Sequence, residues 1–385
     1  MKGQRTVAEF FAGIGLMRMG LERAGWHVVW ANDIDEDKMR MYRGHYVDDQ
    51  AHFHLGDVHA LDYSKIPTVD LATASFPCND LSLAGARRGL AGQQSGAFWG
   101  FMDALKGMEC RRPPLVLLEN VAGFLTSHDG NDFRDACLAL NDLDYAVDAF
   151  IIDAAFFVPQ SRQRLFLIGK REARTDDIVA EPPSFYESAC RPHALADFIL
   201  WNPEIHWSLR DLPPICKTQS CLRDILDNLP SSSVYWWSQQ RAEYLLNQMS
   251  EKHRLIAERM IKGKEISYGT VFRRVRHGRS MAELRTDGIA GCLRTPRGGS
   301  GRQILFQAGK GKYSVRLLTP RECARLMGAD DFTITGSLNQ ALFGFGDAVC
   351  VPVMQWIAEN YLTPVWKESY ASETQQERYQ KRAAV

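Results

Sequence analysis

Apolar positions in the first 170 residues fall into short runs separated by polar, glycine-bearing gaps. Thr6 to Phe11, His27 to Asp33, Phe53 to Val58 and Val69 to Phe76 each read as a strand. So do Leu115 to Val121, Ala146 to Ala155 and Leu165 to Gly169. Between them the spacing changes to the helical period, over Met17 to Ala24, Asp35 to Tyr46, Phe98 to Met108 and Phe133 to Leu143. Strand and helix alternating in this way predict an α/β fold. In such a sheet ligands bind beyond the carboxyl ends of the strands, so the residues at those ends carry the functional information.

The first strand ends in Ala12-Gly13-Ile14-Gly15-Leu16 and a helix follows. Glycines there let the backbone come close to a ligand at a helix N-terminus. No Gly-Lys-Ser/Thr follows, so a phosphate cradle is the weaker reading. The second strand ends in Asp33, 24 residues after Glu9, and the third in Asp57. A ribose-binding carboxylate stands roughly 20 residues on in nucleotide-binding βαβ units. Asp33 is equally a candidate N-cap for the next helix. Together these strand ends point to an adenosine-type cofactor without phosphate, such as S-adenosylmethionine.

The fourth run leads into Ser75-Phe76-Pro77-Cys78-Asn79-Asp80-Leu81-Ser82. A thiol held by a rigid proline at a strand tip is a candidate nucleophile; the alternative is a buried structural cysteine. Ala84 to Gly96 is polar and glycine-rich and reads as a loop that closes over a site. The fifth strand ends in Glu119-Asn120, where an acid on an apolar strand suits a proton donor or is simply a satisfied buried carboxylate. Val158-Pro159-Gln160-Ser161-Arg162-Gln163-Arg164 opens the last strand of this region.

Length and composition add a second domain or an insertion to that picture. The chain has 385 residues, 45% apolar and 24% charged, as in ordinary globular proteins. No stretch reads as a transmembrane span, and Glu9 with the glycines at 13 and 15 breaks any signal-peptide reading. Nine scattered cysteines without CxxC pairs fit reduced thiols in a cytoplasm. Cys190, His193, Cys216 and Cys221 match no standard zinc spacing, so no metal is expected.

Net charge is zero, yet Arg254 to Arg325 holds 17 Lys and Arg against 5 Asp and Glu. An excess of 12 in one segment implies a basic face for a polyanion. Trp236 to Ile261 has helical spacing, and Tyr235-Trp236-Trp237 reads as a packing anchor rather than a base wedge. Thr270 to Arg279 reads as a basic strand and Cys292 to Arg302 as a basic glycine loop. Arg273, Arg274, Arg276, Arg294, Arg297, Ser300 and Arg302 are the candidate polyanion contacts there, with phosphate contact the default. Leu317 to Met327 reads as strand, turn and helix, Ala348 to Tyr361 as an apolar helix, and Glu373 to Arg382 as an exposed tail.

The ordered series Phe11-Ala-Gly-Ile-Gly, Asn32-Asp33, Gly56-Asp57-Val58, Phe76-Pro77-Cys78, Glu119-Asn120-Val121 and Gln160-x-Arg162-x-Arg164 resembles the DNA (cytosine-5)-methyltransferase family. So do Arg316-x2-Thr319-Pro320-Arg321-Glu322 and Gly346-Asp347-Ala348-Val349. The resemblance implies a Rossmann-like S-adenosylmethionine-dependent domain over residues 1–178 and 313–366. A smaller mixed target-recognition domain is inserted at 179–312, and a polar tail covers 367–385. It implies a monomeric enzyme acting on C5 of a cytosine in duplex DNA, alone or beside a restriction or defence system.

By the same resemblance Cys78 attacks C6, Pro77 fixes its backbone, Glu119 serves N3, Arg164 and Arg162 brace the base and thiolate, and Asn120 orients. Phe11, Gly13, Ile14, Gly15 and Leu16 line the cofactor, Asp33 binds its ribose, Ile34 packs on adenine, and Asp57 with Val58 meets the adenine amine. Asp347 and Ala348 complete that site, and Arg87 and Arg88 close on DNA over the flipped base. The chain departs from the family's usual residues at Asp33 (Glu), Asn79 (Gln) and Asp347 (Asn). A tRNA cytosine methyltransferase is the alternative, although its Cys-Phe-Thr tripeptide is missing; a catalytically silent DNA-binding protein is the other.

Overall fold

Unbroken apolar runs become strands buried on both faces. β1 (Arg5–Phe10), β4 (Leu71–Ala74) and β5 (Leu115–Val121) are almost wholly buried in the centre of a seven-stranded sheet. This computed structural model describes residues 4–47, 52–77, 96–172, 187–276, 278–295 and 301–369. With β2 (Trp26–Asp33), β3 (Phe53–Leu55), β6 (Tyr145–Asp153) and β7 (Gln163–Arg171), the sheet order is β3-β2-β1-β4-β5-β7-β6. Strands β1 to β5 pair in parallel, while β7 runs antiparallel to both neighbours. The order reverses between β1 and β4, which makes their carboxyl ends the expected ligand crevice.

Helices cover both faces. α1 (Leu16–Arg23) and α2 (Glu36–His45) follow β1 and β2, and α3 (Ala97–Gly107) and α4 (Asn131–Asn141) cover the other side. α5 (His193–Trp201) joins this second face through Leu195 and Ile199. Arg191 is buried against Asp148 at 2.7 Å, and Tyr361 donates to the same carboxylate at 2.9 Å. The residues around 187–226 therefore pack on the large sheet, within the stretch 179–312 that the resemblance assigns to the insertion.

The separate core is narrower. β8 (Ser267–Arg276), β9 (Arg279–Arg285), β10 (Ile304–Gly309) and β11 (Lys312–Leu317) form an antiparallel sheet ordered β11-β10-β8-β9. α6 (Gln239–Asn247) and α7 (Glu251–Lys262) cover one face of it. The single helical pattern of 236–261 is broken because Ser250 caps a second helix, its side chain accepting from the His253 amide. The basic strand turns at Gly278 (φ 73°), so Arg279 begins the next strand. The sheet runs to Leu317, past the expected boundary at 312.

The return to the large sheet is fixed by a buried pair. Arg316 holds Glu322 with two bonds of 2.6 and 2.5 Å, and Glu322 completes a capping box with Thr319 at the start of α8 (Pro320–Leu326). α9 (Leu338–Asp347) and α10 (Val351–Ile357) follow. Helical residues Leu338–Ser369 are long and apolar enough to cross a membrane by composition, but most of that stretch is buried in the fold. The expected packing of 348–361 on the glycine turn is shared between two helices. α9 touches the turn through Gly344 and Ile14, and α10 lies on α1, where a Cβ on Gly20 would come 2.6 Å from Met354 Cβ.

Glu9 on β1 is buried in this packing, and neither carboxylate oxygen makes a hydrogen bond. Burial pushes its pKa up to about 8, with Arg18 pulling partly back. The unfolded chain releases this proton near 4.5 and the folded one near 8, so folding takes up a proton between those values. The stability contribution is full below the unfolded value and lost as pH rises through about 8. Glu9→Gln therefore flattens a decline of up to about 1.4 kcal/mol per pH unit in this window. Urea unfolding from pH 5 to 9 measures it, and parallel curves for both proteins would contradict the assignment.

Candidate active site

The turn after β1 is built from left-handed backbone. Phe11, Gly13 and Gly15 have φ of 56°, 58° and 85°. Tyr42 and Tyr46 rings lie within 2.8 Å of where a Gly15 Cβ would stand, so no side chain fits there. A Cβ on Gly13 would meet almost nothing, which leaves the space above the turn open. The Gly13 amide donates to Asp33 Oδ2 at 2.8 Å and the Asp35 amide to Oδ1 at 2.9 Å. Burial raises the pKa of this carboxyl. Asp35, and not Asp33, caps α2, accepting from the Asp37 and Lys38 amides.

Neighbouring strand ends complete this rim. Asn32 donates to the His54 and Gly56 carbonyls and ties β2 to the segment after β3. Asp57 is exposed and accepts from the His59 amide at 3.0 Å. Ile34 is 68% exposed beside the buried Asp33, whereas Ile14, Leu16 and Val58 are buried under the turn. An apolar side chain open to solvent next to a carboxylate suits a flat base and a ribose. These residues fit an adenosine-bearing cofactor.

The second group lies at the tips of β4, β5 and β7. Val121 pairs with Arg164 and Glu119 with Phe166, so Glu119 and Arg164 are diagonal neighbours on one face. Arg164 Nε lies 2.9 Å from Glu119 Oε1, and Ser75 donates to Glu119 Oε2. Asn120 donates to the Phe76 carbonyl at 3.2 Å and accepts from the Val121 amide at 2.8 Å. It thus anchors the chain directly before Pro77. Cys78, two positions after Phe76 in sequence, lies outside the described residues.

Arg162 is buried and hydrogen-bonds backbone carbonyls. It donates to the Leu293 carbonyl at 2.9 Å and, with its other nitrogen, to Gly346 and Ala348 carbonyls at 3.1 and 2.6 Å. Gln160, fully buried, accepts from the Leu293 amide at 2.9 Å and donates to the Leu326 carbonyl at 2.8 Å. These two side chains therefore pin together three segments far apart in sequence. Cys292 Sγ stands 3.3 Å from Arg162 Nη1. Burial pushes this thiol up, but Arg162, Arg164 and Arg294 overcome it and hold it below the ordinary cysteine value.

Among the candidate DNA contacts, Arg87, Arg88, Arg297, Ser300 and the Arg276 side chain lie outside the described residues. Arg274 is exposed, 5.2 Å over the Phe272 ring. Arg273 and Arg241 both approach the Trp237 ring, at 5.8 and 3.9 Å. Trp237 packs into the small core, in keeping with an anchor. Arg294 is exposed, and Arg302 donates to Asn339 at 2.9 Å.

Sequence reasoning missed four residues at these sites. Ser75 stood beside Pro77 but was given no role. Cys292 and Thr295 come from more than 170 residues beyond β5. Lys38, 2.8 Å from Asp347, carried one usable sign. A lysine in the first turn of a helix opposes the dipole, so its partner had to lie elsewhere.

Known proteins share this chain's sequence pattern and fold. The profile of the C-5 cytosine-specific DNA methylase family matches residues 5–363. A DNA-cytosine methyltransferase of Escherichia coli K12 is 28% identical over 431 residues, covering 97% of this chain and 81% of its own. Type II methyltransferase M.HhaI of Haemophilus parahaemolyticus is 28% identical, covering 91% and 92%. The solved structure of S. pombe Dnmt2 methyltransferase superposes with a TM-score of 0.61 at 17% identity over 94% of this chain and 99% of that one. With the profile covering nearly its whole length, the chain belongs to the C-5 cytosine-specific DNA methylase family and is a DNA-cytosine methyltransferase.

Proposed function

We propose that the enzyme methylates C5 of a cytosine flipped out of a specific duplex sequence, through a covalent bond from Cys78 to C6. The observation that carries this is the convergence of Glu119, Arg164 and the Asn120-anchored Phe76-Pro77 segment beside the Gly13–Asp33 turn. The cofactor, S-adenosylmethionine, supplies an electrophilic methyl group. Asp33, Ile34 and the glycine turn hold its adenosine, and Asp57 with Val58 borders the base.

Ring C5 of cytosine is a weak nucleophile, and addition of the Cys78 thiolate to C6 makes it enamine-like. As electron density moves to N3, Glu119 donates a proton there. Arg164, whose Nε lies 2.9 Å from Glu119 Oε1, faces the developing charge and favours the thiolate. C5 takes the methyl group, loses its proton to a base, and expels Cys78, while N3 returns its proton to Glu119. Flipping the base costs a few kcal/mol, and the Ala84–Gly96 segment with Arg87 and Arg88 offsets this by closing on the backbone. Arg273, Arg274, Arg276, Arg294, Arg297, Ser300 and Arg302 contact DNA from the small domain. Relatives named type II and orphan methyltransferases favour a role beside a restriction system or alone. The enzyme works as a monomer in the cytoplasm.

Tritiated S-adenosylmethionine with unmethylated genomic DNA, or with tRNA, tests the reading. Label enters DNA with the intact protein and falls to background with Cys78→Ala. Glu119→Gln slows transfer by about 10²–10⁴-fold. Asn120→Ala lowers kcat by about 100-fold through misplacement of the thiol, with KM for the cofactor changed less than twofold. Label in tRNA alone, or full activity of Cys78→Ala, would overturn it.

A further inference from the structure

Glu119 is met by side chains from both neighbouring strands. Ala74 on β4 pairs with Leu118 on β5, so Ser75, the next residue of the chain, falls beside Glu119. The Ser75 hydroxyl donates to Glu119 Oε2. Phe76 is tied across the same strands one position on, its carbonyl accepting from the Asn120 side chain at 3.2 Å. The backbone that carries the Ser75 hydroxyl is therefore fixed. From β7, Arg164 Nε lies 2.9 Å from Oε1 but out of line for a hydrogen bond. Oε1 is buried and accepts no hydrogen bond among the described residues.

The two carboxyl oxygens thus differ. Oε2 is satisfied by a neutral donor, whereas Oε1 is a buried acceptor without a bond, which is costly. A ring nitrogen of a base brought to the strand tips would satisfy it. A hydrogen bond to an ionised acceptor is roughly twice as strong as one between neutral groups. A hydroxyl fixed on Oε2 therefore helps little while the carboxyl group is neutral, and more once the proton has gone. An interaction that strengthens only as the reaction proceeds speeds the chemical step rather than binding.

We propose that Ser75 is a positioning residue for proton transfer from Glu119 to N3 of the cytosine. This rests on the reading of Glu119 as the proton donor. The transferred proton starts on Oε1. As electron density reaches N3, the Oε1–H bond breaks and the N3–H bond forms. The charge left behind is shared with Oε2, where the Ser75 hydroxyl meets it while keeping its own proton. Arg164 stands close enough to meet the share on Oε1. When the ring becomes aromatic again, the proton returns from N3 to Oε1 and the bond from Ser75 weakens.

The test follows a single turnover of tritiated methyl transfer from S-adenosylmethionine to unmethylated genomic DNA, with the full chain in excess over DNA. Ser75→Ala slows transfer by about 10- to 100-fold, as loss of a hydrogen bond to a charged group does. Affinity for the same DNA in the presence of S-adenosylhomocysteine changes by less than about twofold. Ser75→Thr keeps the hydroxyl and transfers at a rate within about threefold of the intact protein. In Glu119→Gln no carboxyl proton is available, and adding Ser75→Ala slows the residual transfer by less than about twofold, because both changes break one interaction. Unchanged transfer by Ser75→Ala, or the same slowing in both backgrounds, would overturn the role of Ser75 and leave Glu119 as the donor. Full activity of Glu119→Gln would overturn both.

Discussion

The register between β5 and its antiparallel neighbour β7 is the constraint on which the catalytic face depends. Val121 opposite Arg164 makes Arg164 and Glu119 diagonal neighbours at one sheet tip. A slip of one residue would send Arg164 to the other face. The register is held by strands buried on both sides, with Leu115 to Leu118 against Leu167 to Lys170. Reversing β7 within a parallel sheet brings the start of one strand to the end of another. That is how a guanidinium 45 residues downstream reaches the carboxylate.

The same strand opening joins the two halves of the enzyme. Arg162 and Gln160 spend their hydrogen bonds on carbonyls and amides of segments 290–295, 326 and 346–348. Buried donors of this kind are costly to leave unmade, so all three segments must be seated before the site is complete. The glycine-turn crevice, the carboxylate tip and the root of the small domain are therefore one packed unit, although the chain leaves it and returns after more than 100 residues.

Much of this was legible because strand ends concentrate chemistry. Glycines at 13 and 15, the acids at 33, 57 and 119, and the Gln160-x-Arg162-x-Arg164 spacing all stand at strand ends. Partner identity was less visible. The Asp33 cap reading failed because Asp35, two residues on, is better placed for the free amides of α2. Arg162 was expected to brace the base only through the family resemblance; its carbonyl partners are backbone atoms, which no residue pattern encodes. Polar, proline-bearing segments around 187–226 hide in the sequence the few apolar contacts, such as Leu195 and Ile205, that bind them to the large sheet. Cys292 beside two arginines could not be anticipated, since the pairing exists only after both domains close on the β7 opening.

The central claim is that the Pro77-Cys78 thiol becomes covalently bonded to a cytosine ring presented to Glu119 and Arg164. A duplex library carrying 5-fluorocytosine, incubated with S-adenosylmethionine and the enzyme, blocks the final loss from C5 and should leave the protein attached. Peptide mapping of the adduct by mass spectrometry is expected to place the nucleotide on Cys78. Attachment at Cys292, or methyl transfer with no adduct at all, would contradict the account.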